Sequence, residues 1–558
     1  VFFGGILTRP FVKLIIIYSI KLHYILYIMD NIEQLFVEIN EVNNNLVDQM
    51  DEIKADYLLT KINNDDDLFH DLYEYSLNLL NTYIDDCPLD FAEENFDALL
   101  HNSCQTLLNI TIYEIFKNDK YNETILDIVS DDILNKVYKE FYNNFIPRRS
   151  YDKTFIRKNI SLDIIGDKIE LIRNKPQPDQ RTNEWYTFRH NLITASSAGK
   201  VFESQSSINQ LIFEKCSPMV DRSNQFVNTN SPLHWGQKYE PVSTMFYEYK
   251  YKTTVEDYGC IQHDKYSFLG ASPDGINIDR NNELYGRMLE IKNVVNREIT
   301  GIPKKMYWIQ MQLQMETCNL NECDFLECQF KEYENETEFK KDGTFKYTEN
   351  EQLKGIMLHF EVDYKPVYEY MPIGMNETDF EEWRNSHMTK YDKFIKTIYW
   401  KLDYYSCILV LRNTLWFKNA ILEIEKVWNI IEDEKKTGYE HRAPKKRKKR
   451  ENSIDNQSCL IDFNHLDNDD NNDNIECLFD VDLNIIDDTA QDSENNVDKF
   501  EEIQKSEQNN TTHNTTPNND SPKILRIRTL SIDETNIDDI DNINIDNINI
   551  DNINVKID

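Results

Sequence analysis

Two carboxylates and one lysine within a short stretch of this 558-residue chain are suited to hydrolytic chemistry. The stretch is ASPDGINIDRNNELYGRMLEIKN, which contains Asp274, Glu290 and Lys292. Two close carboxylates repel one another unless one keeps its proton or a cation lies between them. Hard oxygen ligands of this kind suit Mg²⁺ or Mn²⁺. A neighbouring lysine can orient a water molecule or stabilise charge on a phosphate, so the stretch is a candidate for metal-dependent phosphate chemistry.

The residue pattern predicts that this stretch is a β-hairpin. SFLGASPDGINI is predicted to be one strand, DRNNE the turn and LYGRMLEIKNV the next strand. Side chains alternate along a strand, so Glu290 and Lys292 share one face, roughly 7 Å apart, and Leu289 and Ile291 point into a core. Pairing of the two strands brings Asp274 towards Glu290. The alternative is a turn with a surface ion pair, because Glu-x-Lys is common and SPDG is a good turn sequence.

The segments next to the hairpin add groups that suit the same chemistry. Upstream, HWGQKYEPVSTMFYEY is predicted to be a helix that supplies a third carboxylate, Glu240. Downstream, YWIQMQLQMET is predicted to be a helix on which Gln310 and Gln314 share a face, whereas Gln312 does not. Glutamines on that face are suitable hydrogen-bond partners for a phosphate or a water molecule.

A candidate phosphate-binding segment lies further upstream, in EWYTFRHNLITASSAGKVF. Arg189 supplies a planar guanidinium that suits phosphate. Thr194 and Ser196 supply hydroxyl groups, and Ser197 is a candidate cap for a following helix.

Five short motifs occur along the chain in a specific order. They are W-x-x-x-R-x-x-x-I-T-A-S at 185–196, W-G-x-x-Y-E at 235–240, S-P-D-G at 272–275, L-E-I-K at 289–292 and Y-x-x-Q-x-Q at 307–312. In this order they resemble the YqaJ-type viral recombinase family of PD-(D/E)XK nucleases, whose relatives include the exonuclease of phage lambda. The resemblance covers about 150 residues, 181–330, little more than a quarter of the chain.

The resemblance implies a role for each matched residue. The residues that match metal ligands are Asp274, Glu290, Glu240 and, through its main-chain carbonyl, Ile291. Lys292 matches the catalytic lysine, and Gln310 matches the glutamine that holds this lysine or the water. The residues that match a pocket for a terminal 5′-phosphate are Arg189, Ser196 and Ser272. The loop between Asp274 and Glu290 is longer than in the family pattern, and the hairpin tip can absorb it.

The resemblance also implies a fold and an activity. The fold is α/β (α+β), with a PD-(D/E)XK restriction-endonuclease-like core in which helices flank a mixed central sheet. The activity is a DNA exonuclease that uses one or two Mg²⁺ or Mn²⁺ ions, acts on linear duplex ends with a 5′-phosphate, and serves viral-type recombination, replication or repair. The alternatives are a structure-specific endonuclease on the same core and a non-catalytic DNA-binding scaffold. A single-strand annealing or recombinase partner protein and an oligomer are further expectations.

The rest of the chain divides by composition. Residues 1–28 are apolar but interrupted by lysines, and they precede the first methionine, so we expect an upstream extension and not a membrane anchor. Three- and four-residue apolar spacing predicts a helical accessory region at 29–150, followed by a connector at 151–180. The nuclease domain is predicted at 181–375 and further helices at 376–440. A basic run, 441–450, precedes an Asn- and Asp-rich tail, 451–558, that is predicted to be disordered.

The net charge of −37 at first argues against nucleic-acid binding. The charge is unevenly distributed, however. Residues 451–558 contain 27 acidic and 6 basic residues, and residues 29–150 contain 26 and 8. Residues 151–450 contain 45 acidic and 44 basic residues, so the segment with the motifs is nearly neutral and compatible with binding DNA.

Ten cysteines without a regular framework indicate reduced thiols and an intracellular protein. The basic run PKKRKKR, 444–450, is typical of a nuclear localisation signal or a phosphate-binding patch, and its alternative is a solvated linker. We therefore expect the host nucleus or a cytoplasmic viral replication site. A zinc site formed by Cys318, Cys323 and Cys328 is a minor alternative, because no C-x-x-C pair accompanies them.

Overall fold

The computed structural model describes residues 45–444 apart from 153–160, 179, 181 and 220–226. The predicted upstream extension at 1–28, basic residues 445–450 and the predicted disordered tail at 451–558 lie outside the described residues. Within the described ranges, no helix is both long and apolar enough to cross a membrane.

The N-terminal region is helical as predicted, for the part that the structure describes. Its helices are α1 (45–63), α2 (Asp66–Asp86), α3 (Phe96–Ile115) and α4 (Glu123–Asn144), with a 3₁₀ turn at Pro88–Ala92. Side-chain caps start two of them: Asp65 accepts a hydrogen bond from the Leu68 amide, and Asn122 accepts one from the Ile125 amide. The buried residues of α3 recur every four positions, from Phe96 to Ile112, which gives the helix one apolar face.

These N-terminal helices share one hydrophobic core with five of the helices that follow, namely Leu162–Arg173, Ala195–Ala198, Gln205–Cys216, Lys305–Cys318 and Thr414–Thr437. The following helices are α5 (Leu162–Arg173), α6 (Asn183–His190), α7 (Ala195–Ala198), α8 (Gln205–Cys216), α9 (Pro232–Tyr251), α10 (Lys305–Cys318), α11 (Glu336–Lys341), α12 (Glu377–Met388) and α13 (Thr414–Thr437). The indole of Trp308 in α10 donates a hydrogen bond to the carbonyl of Arg149, which directly follows the N-terminal helices. The predicted connector 151–180 contains helix α5, which the sequence pattern did not indicate.

The strands form two sheets. They are β1 (Ile193–Thr194), β2 (Val255–Glu256), β3 (Ile261–Gln262), β4 (Leu269–Ala271), β5 (Gly275–Asn277), β6 (Met288–Asn293), β7 (Glu322–Glu332), β8 (Lys354–Val362), β9 (Lys365–Tyr370) and β10 (Lys393–Leu411). The seven-stranded sheet has the order β2-β5-β6-β7-β10-β8-β9, and the three-stranded sheet has the order β1-β4-β3. In the larger sheet β6 and β7 are parallel and the other neighbouring strands are antiparallel. The predicted mixed α/β class, with helices flanking a mixed sheet, is therefore confirmed.

The predicted single strand SFLGASPDGINI is wrong. It consists of β4 and β5, which belong to different sheets and are separated by Ser272–Asp274. The proline at 273 fixes its own φ and lacks an amide N–H, so it interrupts a hydrogen-bonded ladder. The second predicted strand is also shorter, because only Met288–Asn293 is extended.

The predicted helices throughout 376–440 are also partly wrong. Residues Lys393–Leu411 form β10, which lies between β7 and β8 in the middle of the larger sheet. This segment, KFIKTIYWKLDYYSCILVL, is rich in aromatic and β-branched residues, which favour strands. Its Trp and Tyr residues are compatible with an apolar helix face as well as with a strand, and the sheet extends beyond the predicted boundary at 375. Helices α12 and α13 confirm the prediction on both sides of β10.

Trp400 of β10 holds the middle of the larger sheet together. Its side chain is buried, its ring meets Phe330 edge to face at 5.4 Å, and it lies directly over Gly355 of β8. A β-carbon at Gly355 would lie 2.2 Å from the Trp400 ring, so glycine makes this close approach possible.

We therefore expect Trp400→Ala to lower the free energy of unfolding by about 3–5 kcal/mol, because it removes a large buried ring. Tyr404→Ala is the matched control on the same strand, since Tyr404 is 54% exposed, and it should change the free energy by less than about 1 kcal/mol. Urea denaturation followed by tryptophan and tyrosine fluorescence and by circular dichroism measures both variants. Equal effects of the two substitutions would contradict the central placement of β10.

Candidate active site

Asp274 and Glu290 come together where β5 and β6 begin to pair. Asp274 directly precedes β5, and its Oδ2 accepts a hydrogen bond from the Ile291 amide at 2.7 Å. Gly275 faces Leu289 across the antiparallel pair, so Asp274 lies beside the strand that carries Glu290. The structure therefore brings the two predicted carboxylates into one site, although Asp274 arrives from a break between strands and not from within one.

The carboxylate of Glu290 is fully buried and is surrounded by hydrogen-bond donors. Its Oε1 accepts from the Gln310 side-chain amide at 2.7 Å and lies 2.9 Å from Lys292 Nζ. Its Oε2 accepts from the Gln314 amide at 2.6 Å. A buried carboxylate is costly unless charged or hydrogen-bonded partners compensate it, and here Lys292 and both glutamines do so.

The predicted arrangement of α10 is confirmed. Gln310 and Gln314 both reach Glu290, whereas Gln312 turns away and donates to the Leu411 carbonyl at 2.9 Å. Gln314 also lies 3.3 Å from the Ser272 carbonyl oxygen, so it connects Glu290 with the segment before Asp274. Gln314 lies on the predicted face of α10 together with Gln310, but the resemblance implies a role only for Gln310. The four-residue spacing between the two glutamines was the signal that pointed to Gln314 as well.

Glu240 approaches the same site from α9. The helix is fixed on β6 by Asn293, whose side chain accepts a hydrogen bond from the Ser243 hydroxyl at 2.7 Å and donates to the Gly236 carbonyl. Burial, followed by the negative charges of Glu290 and Glu240, raises the pKa of the Asp274 carboxyl well above its ordinary value. The Asp274 carboxylate is thus repelled by two other carboxylates, and a cation would relieve this repulsion.

The donor set fits a hard divalent cation that keeps much of its hydration. Among the described residues, no three His, Cys, Asp or Glu side chains are arranged as a complete metal cage. Mg²⁺ is usually held by only one or two carboxylates together with water and substrate phosphate oxygens. Asp274 and Glu290 are the residues that would hold it, with Glu240 nearby. A carboxylate has about four lone-pair positions, so the three hydrogen bonds to Glu290 leave it able to bind a cation.

A second polar cluster lies on the other side of Ser272. The Arg189 guanidinium donates to the hydroxyls of Ser272 and Ser196, at 3.2 Å each, and stacks on the Trp185 ring at 4.3 Å. Arg189 lies in the last turn of helix α6 and is itself buried, with its carbonyl accepting a hydrogen bond from Lys215 Nζ at 3.1 Å. Arg189 therefore contacts both of the other residues predicted as a phosphate pocket, Ser196 and Ser272.

The cysteines at 318, 323 and 328 do not form a ligand cluster. Cys323 and Cys328 are an odd number of positions apart on β7, so regular alternation directs their side chains to opposite faces. Burial raises the pKa of Cys318 and of Cys328 to about 12, which keeps both thiols protonated. Among the described residues, the search for groups of three metal-binding side chains finds none, and the minor zinc alternative gains no support.

Together the fold and site define a mixed α/β protein with an acidic Asp…Glu-x-Lys centre at the edge of a strand pair. Residues 184–321 match the model of the YqaJ-like viral recombinase domain, which confirms the resemblance found in the motifs. An uncharacterized protein of Acanthamoeba polyphaga mimivirus is 30% identical over 327 residues, covering 51% of this chain and 57% of the relative. The match thus spans somewhat more than half the length of that relative.

Two solved structures of an alkaline exonuclease (LHK-Exo) from Laribacter hongkongensis are also similar. One of them is a complex with dAMP. Each is 18% identical and covers 46% of this chain and 95% of the solved chain, with TM-scores of 0.28 and 0.27.

We expect Asp274→Asn to weaken the tightest Mn²⁺ binding by at least about tenfold, because it removes one charged ligand from the acidic site. The matched control is Glu283→Gln, since Glu283 is an exposed carboxylate in the turn of the same hairpin. Isothermal titration calorimetry of the full chain measures the tight site, and weak binding by the acidic tail should remain in both variants. Equal tight binding in wild type and Asp274→Asn would exclude Asp274 as a ligand.

Proposed function

We propose that this protein is a metal-dependent DNA nuclease that removes nucleotides from duplex ends carrying a 5′-phosphate. The observation that carries the proposal is the buried Glu290 carboxylate on β6. It lies 2.9 Å from Lys292 and beside Asp274, the residue that directly precedes β5. The match to the YqaJ-like viral recombinase domain supports the same activity.

Lys292 and Gln310 have complementary tasks in the proposed reaction. Lys292 Nζ, anchored by Glu290, orients a water molecule for in-line attack on phosphorus and offers positive charge to the phosphate. Gln310 fixes the Glu290 carboxylate, and therefore the position of Lys292, through its 2.7 Å hydrogen bond. A bound Mg²⁺ or Mn²⁺ ion would supply Lewis-acid stabilisation of the developing charge. Asp274 and Glu290 would hold that ion, with Glu240 nearby and the Ile291 carbonyl as a further proposed ligand.

Arg189 gives the proposed enzyme its preference for phosphorylated ends. A guanidinium that is stacked on an aromatic ring and held by two hydroxyls is already positioned for a terminal phosphate. Water attack at the next phosphorus forms a P–O bond and breaks the P–O3′ bond, which leaves a new 5′-phosphate on the shortened strand. Each cut therefore regenerates the group that the Arg189 pocket binds, and digestion can continue from the same end.

The proposed biological role is end processing in viral-type recombination, replication or repair, inside the infected cell. The family match at 184–321 and the similar mimivirus protein support this role. A single-strand annealing or recombinase protein is the proposed partner, because resection exposes the single strand on which such a protein acts. An oligomer is also proposed, and gel filtration with light scattering measures it.

The wild-type protein with Mg²⁺ or Mn²⁺ should degrade linear duplex with a 5′-phosphate faster than the same duplex with a 5′-hydroxyl, and should leave a closed circle intact. Arg189→Gln should bring the two linear rates together, because it removes the phosphate-binding charge. Arg280→Gln is the matched control, since Arg280 is exposed on the hairpin turn, and it should preserve the preference. Gel and mass-spectrometric analysis identify the products. Nicking of the circle would replace the proposal by an endonuclease, and absence of all cleavage would reject it.

Lys292→Ala should reduce cleavage by at least about 10²-fold, because it removes a positively charged group that acts at the reacting phosphate. Binding of the same duplex should remain close to that of wild type, since one lysine contributes little to the total electrostatic attraction. Single-turnover cleavage and fluorescence anisotropy measure the two properties separately. Normal cleavage by this variant would show that the reacting phosphate lies elsewhere.

A further inference from the structure

Glu327 is a buried carboxylate next to the candidate active site that none of the five motifs includes. It lies on β7 in register with Lys292 of the parallel strand β6. Residues in register on neighbouring strands point to the same face of a sheet. The side chain of Glu327 is only 2% exposed. A carboxylate at such a depth needs a cationic partner, and that partner is Arg297.

Arg297 belongs to the segment that leads from β6 to α10. Its Nη2 donates to Glu327 Oε1 at 2.5 Å, and its side chain remains 20% exposed. A guanidinium has five N–H donors in a planar fork, and Nη1 of Arg297 also donates to the Glu298 carbonyl at 3.4 Å. The pair therefore fixes the direction of the guanidinium on a side chain that is still partly exposed.

Tyr307 places Arg297 and Lys292 around one aromatic ring. The Lys292 ammonium lies 4.9 Å from the centre of the ring, and the Arg297 guanidinium lies 5.6 Å from the same centre. Tyr307 is buried on α10, one turn before Gln310, so the helix that holds Glu290 also carries this ring. The two cations are therefore positioned by the same helix and by neighbouring strands.

We propose that Arg297 contacts the DNA backbone phosphate next to the scissile phosphate, and that Glu327 is the positioning residue that aims it. The inference rests on the proposed nuclease function. Lys292 acts at the phosphate that reacts, and Arg297 binds the adjacent phosphate through a charge-assisted hydrogen bond. Two phosphates held at one site fix the strand along its length, which in-line attack requires. A purely structural Arg297–Glu327 pair would only anchor the loop before α10.

The experiment measures DNA affinity against salt concentration in a Lys292→Ala background, where cleavage is suppressed. The probe is a 5′-phosphorylated duplex, either unmodified or with one neutral methylphosphonate next to the scissile phosphate. Arg297→Gln should weaken binding of the unmodified duplex about tenfold, the effect of one charge-assisted hydrogen bond. It should also lower the slope of log affinity against log salt by about 0.9, the contribution of one phosphate.

The methylphosphonate separates a direct contact from a structural effect. The methylphosphonate should weaken DNA binding by the protein that retains Arg297. It should not weaken DNA binding by Arg297→Gln any further. Arg297→Lys keeps the charge and should retain the salt slope. Glu327→Gln should also retain the slope and lose part of the sensitivity to the methylphosphonate. Thermal melting of each variant checks that it is folded, and Arg280→Gln controls for loss of a distant surface cation.

The inference is overturned if Arg297→Gln keeps the full sensitivity to the methylphosphonate, or if Arg280→Gln produces the same loss. Full sensitivity in Glu327→Gln would remove the positioning role of Glu327. Failure of the proposed function gives a different result, because protein with Lys292 and Arg297 intact would then not cleave the unmodified duplex, whether or not it binds the duplex.

Discussion

The buried carboxylate of Glu290 is the group on which the candidate site depends. It is fully enclosed on β6, and its cost is offset by Lys292 from the same strand and by two glutamines from α10. Those partners therefore contribute to the stability of the protein, whether or not substrate is bound. Stability and the arrangement of the reactive groups consequently depend on the same contacts, which is a form of preorganisation.

Ser272 and Asp274 connect the two halves of the site through very little chain. Ser272 contacts Arg189, and Asp274 contacts β6, with a single proline between them. The preceding strand belongs to the three-stranded sheet and the following strand to the seven-stranded sheet. Gln314 joins this segment to Glu290 from the other side. The distance between the phosphate cluster and the carboxylates is thus set by a short, proline-stiffened segment between two sheets.

Local patterns predicted the candidate site better than they predicted the strands around it. Glu290, Lys292 and the two glutamines could be grouped because their spacing follows the strand and helix periods directly. The break at Ser272–Asp274 could not be foreseen from alternation, since its two sides pair with different sheets, and that choice depends on distant residues. Strand β10 was missed because Trp and Tyr are compatible with either a helix face or a strand, and only its long-range pairing decides between them. Arg297 and Glu327 were missed because the parallel register that joins them to Lys292 is likewise non-local.

The N-terminal helices and α10 share one hydrophobic core, so local unfolding of these helices affects the position of α10. The side of α10 opposite Gln310 and Gln314 is bound to the N-terminal region, through the indole of Trp308 and the carbonyl of Arg149. The acidic helical region is therefore part of the support of the glutamines and not an appended module. Its unfolding would release α10, so a change far from the carboxylates would disturb the candidate site. A protein that binds the helical region would, by the same linkage, stiffen the reactive centre without touching it.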